Sequence, residues 1–323
     1  MTIRSTPDVS IVIPTHDRRE LLRLTLTSAL WQRDVNIEVI VVDDGSRDGT
    51  SHDVMSLSDP RVQLVRQERR LGMGAARNVG IVKARGAWIA FLDDDDLWAP
   101  DKLHRQLEVA TAAGRGWAYT GDVTADSNLR VVSGGPPPTP EQVVANLSRF
   151  NSVPTGSSNV VVRADVLAEA GPFDPGLRRI ADWDMWIRLA RIGPPACAGL
   201  PLVAYRFHPS NIAAETASMV SEPGLLARRY GIPVDRAAMQ RWAAWSWLRA
   251  GRRGKALWHY ARAISMGDLR SVARAFVALV HPAVGSDRVF RLLPNPPESE
   301  RWRREAQAWL DDLAGASLPG PVT

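Results

Sequence analysis

Over the first 120 residues, short runs of consecutive apolar residues alternate with segments of helical periodicity, a pattern absent from the rest of the chain. "VSIVIP" (9–14) and "IEVIVVDD" (37–44) are apolar almost throughout, so both faces of each strand need cover. Between them, "RRELLRLTLTSALWQ" sets Leu21, Leu22, Leu24, Leu26, Ala29 and Leu30 at roughly helical spacing. "RVQLVRQ" reads as a third strand, "MGAARNVGIVKARG" as a helix ended by Gly86, and "AWIAFLDDDD" as a fourth strand. "APDKLHRQLEVATAAG" follows as a helix, with Pro100 early and Gly114 beyond its end. This order predicts an α/β architecture: a mostly parallel sheet with helices on both faces.

Such sheets bind ligands beyond the carboxyl ends of their strands. "PTHDR" follows the first strand, "DDGS" the second and "DDDD" (93–96) the fourth. A single acidic cluster is ordinarily a solvated turn, but three polar clusters on one rim point to a site. Asp93 and Asp95 have the Asp-x-Asp spacing, in which alternate side chains leaving a strand share a direction. Hard oxygen ligands of this kind suit Mg²⁺ or Mn²⁺, completed by substrate phosphates. "GMGAARNVG" (72–80) lacks the Gly-Lys-Ser/Thr end of a P-loop, and no Gly-x-Gly-x-x-Gly turn follows the first strand. Its Arg77 reads in three ways: approaching a diphosphate, positioning the Asp-x-Asp loop, or making a helix-surface ion pair. "RIADWDMWIRLARIG" is a short amphipathic helix with Asp182 and Asp184 at its start, where acids favour the helix dipole.

From about 121 the pattern loosens. "SGGPPPTPEQ" is a loop, "GSSNVVVRADVLAEAGPFDP" a strand, helix and turn, and "LPLVAYRFHPSN" one more strand. After about 215 strand signals nearly vanish, which predicts two units, 1–215 and a basic, Trp-rich helical region over 216–323. "AAMQRWAAWSWLRAGRRGKALWHYARAISMG" reads as two antiparallel helices joined at "AGRRGK", with further helices over 270–292 and 297–314. The net charge of +5 is uneven: residues 221–323 carry 16 Lys and Arg against 9 Asp and Glu, or +7, leaving −2 for the remainder. The basic helices suit either an anionic lipid surface, with tryptophans at the interface, or helix packing with solvated faces. No nucleic-acid-binding motif accompanies the charge, and no nucleic-acid partner is expected. A single cysteine, Cys197, excludes an intrachain disulfide framework or a thiolate metal cluster. No run approaches the roughly 18 apolar residues of a membrane span, and the polar "MTIRSTPDVS" is no signal peptide. The expected location is the cytoplasm, with peripheral contact at the inner membrane face as an extension.

In their order, "SIVIPTHDR", "IEVIVVDDGSRDGT", "GMGAARNVGIVKARGAWIAFLDDDDLWAPDKL" and "IADWDMWIRLA" resemble the family-2 inverting glycosyltransferases of the GT-A fold, over roughly residues 8–210. The resemblance implies a Rossmann-like nucleotide-diphospho-sugar transferase domain, with the helical region appended. It also implies a nucleotide-sugar donor and, as acceptor, the hydroxyl of a glycan, a lipid-linked precursor or a small molecule. A UDP-sugar is the default donor. GDP- and dTDP-sugars stay open, because His16 stands where relatives usually carry an aromatic and Asp17 where they often carry Asn. Asp182 takes the place of the general base, with Asp184 as second choice. The implied metal ligands are Asp95, Asp93 and the His208 of "YRFHPSN". Asp94 would meet the sugar or ribose, and Asp96 would cap the next helix. Asp44 would accept from the imide edge of a uracil-like base or cap its own following helix. Pro14, Thr15 and Asp17 would line the same pocket, with His16 as a wall, and Arg77 would approach the donor; Asn78 is a weaker candidate. Trp183 and Trp186 are candidates for stacking on a sugar, with core packing the alternative for Trp186. A nucleotidyltransferase should carry a Gly-rich basic loop after the first strand, and "PTHDRRE" lacks the glycines. A non-catalytic binding module should have lost the acids. "MQRWAAW" lacks the Gln-x-x-Arg-Trp spacing of processive synthases, so one transfer per encounter is expected.

Overall fold

The computed structural model describes residues 6–207, 220–249, 251–280 and 297–316. At its centre β1 (Val9–Thr15), buried at all seven positions, pairs in parallel with β2 (Ile37–Asp43) and with β4 (Trp88–Phe91). β3 (Val62–Arg66) extends the parallel set beyond β2. The full order is β3-β2-β1-β4-β8-β6-β9-β5, with β5 at Leu97–Trp98, β6 at Trp117–Ala125, β8 at Val161–Arg163 and β9 at Ala196–Arg206. β7 (Val131–Gly135) hangs on β6 as a hairpin.

The parallel set coincides with the stretch in which strands and helices alternate. Past β4 the sheet is mixed: β8 is antiparallel to both β4 and β6, while β6 and β9 are parallel. Crossover helices are what permit parallel neighbours. The regular alternation ends with α4 (Lys102–Ala112), and the uninterrupted parallel order ends with it.

Both faces are covered, as continuous apolar strands require. On one face Val9, Ile11 and Ile13 pack with Leu22, Leu26 and Ala29 of α1 (Arg19–Leu30) and with Leu103 of α4. On the other, Val12 and Phe91 join Trp117, Met185 and Trp186, the last two from α7 (Ala181–Ile192). The last glycine of "GMGAARNVG" serves this packing. In α3 (Met73–Lys83), a Cβ on Gly80 would overlap the Val12 side chain, so the missing side chain lets α3 lie directly on β1.

The C-terminal region contains α8 (Pro223–Tyr230), α9 (Arg236–Arg249), α10 (Arg253–Ser265), α11 (Arg270–Val280) and α12 (Pro297–Gly315). α9 and α10 form the helical hairpin expected at "AGRRGK". With α11 they build a small cluster of their own from Ala244, Leu248, Ala256, Tyr260 and Ala278. The elements on either side of this cluster belong to the sheet. Leu226 of α8 enters the α7 core. Trp302, Trp309 and Leu310 of α12 pack on Val123, Leu202 and Ala204. The indole N–H groups of Trp302 and Trp309 donate to the Asp122 and Pro201 carbonyls at 3.1 and 3.0 Å. α8 and α12 thus each contribute to a hydrophobic cluster shared with the sheet.

The Gly80–Val12 approach sets a stability prediction. Gly80→Ala should cost about 1–3 kcal/mol by overpacking, read in urea denaturation. In a Val12→Ala background the cost of the same change should shrink, because the methyl then has room.

Candidate active site

β1, β2 and β4 run in parallel, so Thr15, Asp43 and Phe91 end on one rim, and the loops leaving them meet there. Asp17, with φ +50°, braces two of these loops. Its N–H donates to Ser46 Oγ at 2.9 Å, and its Oδ1 accepts from Arg47 N at 2.7 Å. Asp44 is buried and does not cap the helix after it, which starts from Gly49. Instead its two oxygens accept the N–H groups of Leu71 and Gly72, at 2.6 and 2.8 Å, and hold the loop before α3. His16 Nδ1 lies 2.8 Å from the Asp44 carbonyl, and Pro14 and Thr15 are buried at the end of β1.

The four aspartates form a turn between β4 and β5, closed by Asp96 N donating to the Asp93 carbonyl at 3.1 Å. The four acids thus lie in a turn rather than on a strand, and each has its own set of partners. Asp93 accepts from Arg77 Nη2 at 2.5 Å. Asp94 and Asp95 share Arg18 Nη1, at 3.0 and 2.5 Å. Asp96 is not a helix cap: it is buried, the cap position of α4 is Asp101, and Asp96 Oδ2 accepts from Ser158 Oγ at 2.5 Å. Ser158 Oγ also accepts from Asp93 N at 3.1 Å, which fixes both ends of the turn. From the end of β9 the buried Arg206 donates to the Asp95 carbonyl at 2.5 Å and to the Leu21 carbonyl at 2.7 Å.

These contacts leave the cluster short of positive charge. Burial, with the neighbouring Asp95 charge adding to it, pushes the Asp94 carboxyl up to about 7 against the pull of Arg18. Burial, with Asp95 and Asp93 beyond it, pushes Asp96 well above the usual carboxylate range. The Arg18 guanidinium moves the other way: burial pulls it down, yet Asp94 and Asp95 raise it above its ordinary value. Asp96 Oδ1 is buried without a hydrogen-bond partner. A cation with hard-oxygen preference therefore fits this donor set. Among the described residues no three acids, histidines or cysteines converge as a ready-made metal cage, so substrate oxygens would have to complete the shell. His208 lies outside the described residues.

Asp182 stands on the first turn of α7 and is half-buried. Asn151 Nδ2 donates to its Oδ2 at 3.0 Å and Trp183 N to its Oδ1 at 2.7 Å. Burial raises its carboxyl to about 6, with Arg77 opposing and Asp93 reinforcing the shift. Asp182, Arg77 and Asp93 thus share one electrostatic neighbourhood. Gly156, with φ +51°, passes so close that a Cβ on it would lie 2.5 Å from Asp182 Oδ2.

Asp184, two residues on, is spent on structure. It is 1% exposed, binds Arg188 and Arg229 at 2.8 Å each, and accepts from the Tyr230 hydroxyl at 2.6 Å, joining α7 to α8. Trp183 and Trp186 are both buried, so neither offers a face to a sugar. Trp183 Nε1 donates to the Leu147 carbonyl at 2.7 Å, and Trp186 stacks on Trp117 with centroids 6.2 Å apart. Asn78 exchanges two hydrogen bonds with the Phe173 backbone and is structural as well. Arg77 is buried rather than a surface partner, with its guanidinium 5.4 Å from the Phe173 ring.

Arg18, Asn151, Gly156, Ser158 and Arg206 escape sequence reasoning. Arg18 directly follows "PTHD" and could have been found as the nearest base to an acidic rim. Asn151 lies in a loop, Gly156 and Ser158 in one short 3₁₀ turn and Arg206 at a strand end, where no periodicity marks them.

Residues 10–133 match the family model described as Glycosyl transferase family 2. The chain is 46% identical over 112 residues to the succinoglycan biosynthesis protein ExoO of Rhizobium meliloti, covering 35% of this chain and 32% of that one. It thus spans about a third of that relative's length. It is 29% identical over 183 residues to WfgD of Escherichia coli, a UDP-Glc:α-D-GlcNAc-diphosphoundecaprenol β-1,3-glucosyltransferase, covering 57% and 70% of the two chains. An uncharacterized glycosyltransferase of Nostoc sp. is 30% identical over 224 residues, covering 66% of this chain and 69% of its own. Among solved structures, residues 1–349 of S. aureus TarS in complex with UDP-GlcNAc superpose with a TM-score of 0.52 at 14% identity, covering 94% and 92%. The mannosyltransferase PcManGT of Pyrobaculum calidifontis, in complex with GDP-Man and Mn²⁺, gives 0.51 at 20% identity, covering 96% and 86%. At these identities the superpositions establish a shared GT-A-like fold.

The contrast between the two acids of α7 predicts opposite stability effects. Asp184→Ala should cost on the order of 3 kcal/mol, since it strands a buried ion network. Asp182→Asn should be neutral or stabilising above pH 6. A carboxyl whose folded pKa is raised destabilises the fold once it ionises, and the amide removes that charge. Thermal melts of the two variants at pH 8 check both.

Proposed function

Because the chain belongs to glycosyltransferase family 2, we propose that it transfers a sugar from a nucleotide-diphospho-sugar to an acceptor hydroxyl in one inverting displacement, with Asp182 as general base. The observation that carries this reading is the state of Asp182. Its carboxylate is oriented by Asn151 and by the Trp183 N–H, retains lone pairs, and has a pKa of about 6. A base of that strength is mostly ionised at neutral pH and still takes a proton effectively. The acceptor O–H would donate to Asp182. As the new bond to the anomeric carbon forms, the proton passes to the carboxylate. The anomeric bond to the diphosphate breaks on the opposite face, and the nucleotide leaves with the electron pair.

The remaining residues hold the donor. Asp44 keeps lone pairs beyond the two loop N–H groups it accepts, enough to take an N–H from a base. Pro14, Thr15 and Asp17 would line that pocket, and Asp94 would face the sugar or ribose. Asp93 and Asp95 would hold Mg²⁺ or Mn²⁺, with His208 as a further ligand. The bound ion would supply positive charge to the leaving diphosphate. Arg77 spans the two halves of the site, since it binds Asp93 and acts electrostatically on Asp182.

A UDP-sugar is the first donor to test, because TarS of similar fold is described in complex with UDP and UDP-GlcNAc. PcManGT, described with GDP-Man and Mn²⁺, keeps GDP-sugars and manganese in the panel. The acceptor we propose is a cell-envelope polysaccharide precursor, in keeping with the succinoglycan role of ExoO and the lipid-diphosphate substrate of WfgD.

Thermal shift with a panel of nucleotide-sugars and Mn²⁺ should single out the donor, since affinity for the folded state raises stability. With donor and acceptor in hand, Asp182→Asn should lower kcat by about 10²–10⁴-fold while donor binding persists. The base works ionised, so kcat/KM of the parent protein should fall as pH drops through about 6. Asp95→Ala should abolish the Mn²⁺-dependent part of the thermal shift. Full turnover by Asp182→Asn would sink the base assignment.

A further inference from the structure

Helix α11 is amphipathic in the wrong sense for a solvent-facing helix. Its small residues Ser271, Ala275 and Ala278 turn inward, Ala275 and Ala278 against the α9–α10 cluster. Its large apolar residues turn outward: Val272, Phe276, Leu279 and Val280, with Leu269 just before the helix, are 49–77% exposed. Positions 269, 272, 276, 279 and 280 recur at the spacing of one helical stripe. A contiguous exposed apolar stripe marks a surface that something covers.

The surrounding charge selects the occupant. Residues 251–280 carry Arg252, Arg253, Lys255, Arg262, Arg270 and Arg274 against one acid, Asp268, and that acid is already paired with Arg241 at 2.7 Å. Arg270 and Arg274 flank the stripe on α11 itself, both exposed. A second copy docking through the same face would bring like charges together around the apolar contact, at a cost in specificity and affinity. An anionic bilayer gains from both features at once, taking the apolar stripe below its headgroups and the arginines among them. At 11 residues α11 is about 16 Å long, roughly half the hydrocarbon thickness. No helix among the described residues is long and apolar enough to cross a membrane. We infer that α11 is an in-plane interfacial helix that docks this protein on an anionic lipid bilayer. The inference does not depend on the transfer reaction, because none of these residues belongs to the Asp182 site.

Vesicle co-sedimentation of the full chain tests it, with phosphatidylcholine vesicles compared with vesicles that also contain phosphatidylglycerol. The parent protein should bind the anionic vesicles and dissociate as salt is raised. Phe276→Glu with Leu279→Glu should weaken binding at least about tenfold, since both anchors then carry charge into the interface. Arg270→Gln with Arg274→Gln should weaken it by about fivefold per arginine. Both pairs should keep the parent melting temperature, because the side chains are exposed. Absence of binding to anionic vesicles, equal binding by the Phe276/Leu279 pair, or light scattering that shows a dimer dissolved by that pair without vesicle binding would each overturn the proposal.

Discussion

Mutual repulsion among four consecutive aspartates is the constraint around which the rim of this sheet is organised. The turn holds because cations and donors from several elements converge on it: Arg18 from the loop after β1, Arg77 from α3, Arg206 from β9 and Ser158 from the segment before β8. Each of these contacts also ties its own element to the rim, so the charge demand of residues 93–96 locates the strand ends relative to one another. The demand is not fully met, since Asp94 and Asp96 still sit well above the normal carboxylate range. Residual negative potential of this kind in a cleft attracts a cation or a proton, and perturbed carboxyls of this kind gather at functional sites.

Asp182 and Asp184 show how differently one helical turn can treat two acids. Both are acids at the N-terminus of α7, where the dipole favours either. Asp184 finds two guanidinium groups and a phenol and is consumed by them. Asp182 finds one amide and one backbone N–H in a buried setting, and its charge stays costly. The glycine at 156 is the local condition for this setting, since a side chain there would press on the carboxylate.

The C-terminal third is less separate than its composition implies. α12 returns to the sheet and buries two tryptophans against β6 and β9, while α8 is tied to the first turn of α7 through Arg229 and Tyr230. The α9–α11 cluster has a small core of its own, with Met239 at the start of α9 joining the α7 core, and the balance of small inward and large outward side chains on α11 departs from that of a water-facing helix.

By itself the sequence determined the alternating part of the fold and the gathering of its acids on one rim. Uninterrupted apolar runs such as "VSIVIP" and "IEVIVV" can persist only where both faces are covered, and the acids directly behind them then have to share a rim. The resemblance of four ordered blocks to a family added the residue roles proposed above. Tertiary structure decided what local pattern cannot carry: the mixed order beyond β4, the return of α12, and the fate of each acid. Asp96 reads locally as a helix cap and is instead a buried turn residue held by Ser158, 62 positions away. Trp183 reads as a sugar platform and is instead core. Asp182 and Asp184 stand together on the first turn of α7; beyond the local i,i+4 partner Arg188 of Asp184, they differ because Arg229, Tyr230 and Asn151 arrive from elsewhere. Periodicity reports which face of an element is buried. The ionisation and partners of a carboxylate depend on groups brought near by folding, and spacing along the chain holds no record of them.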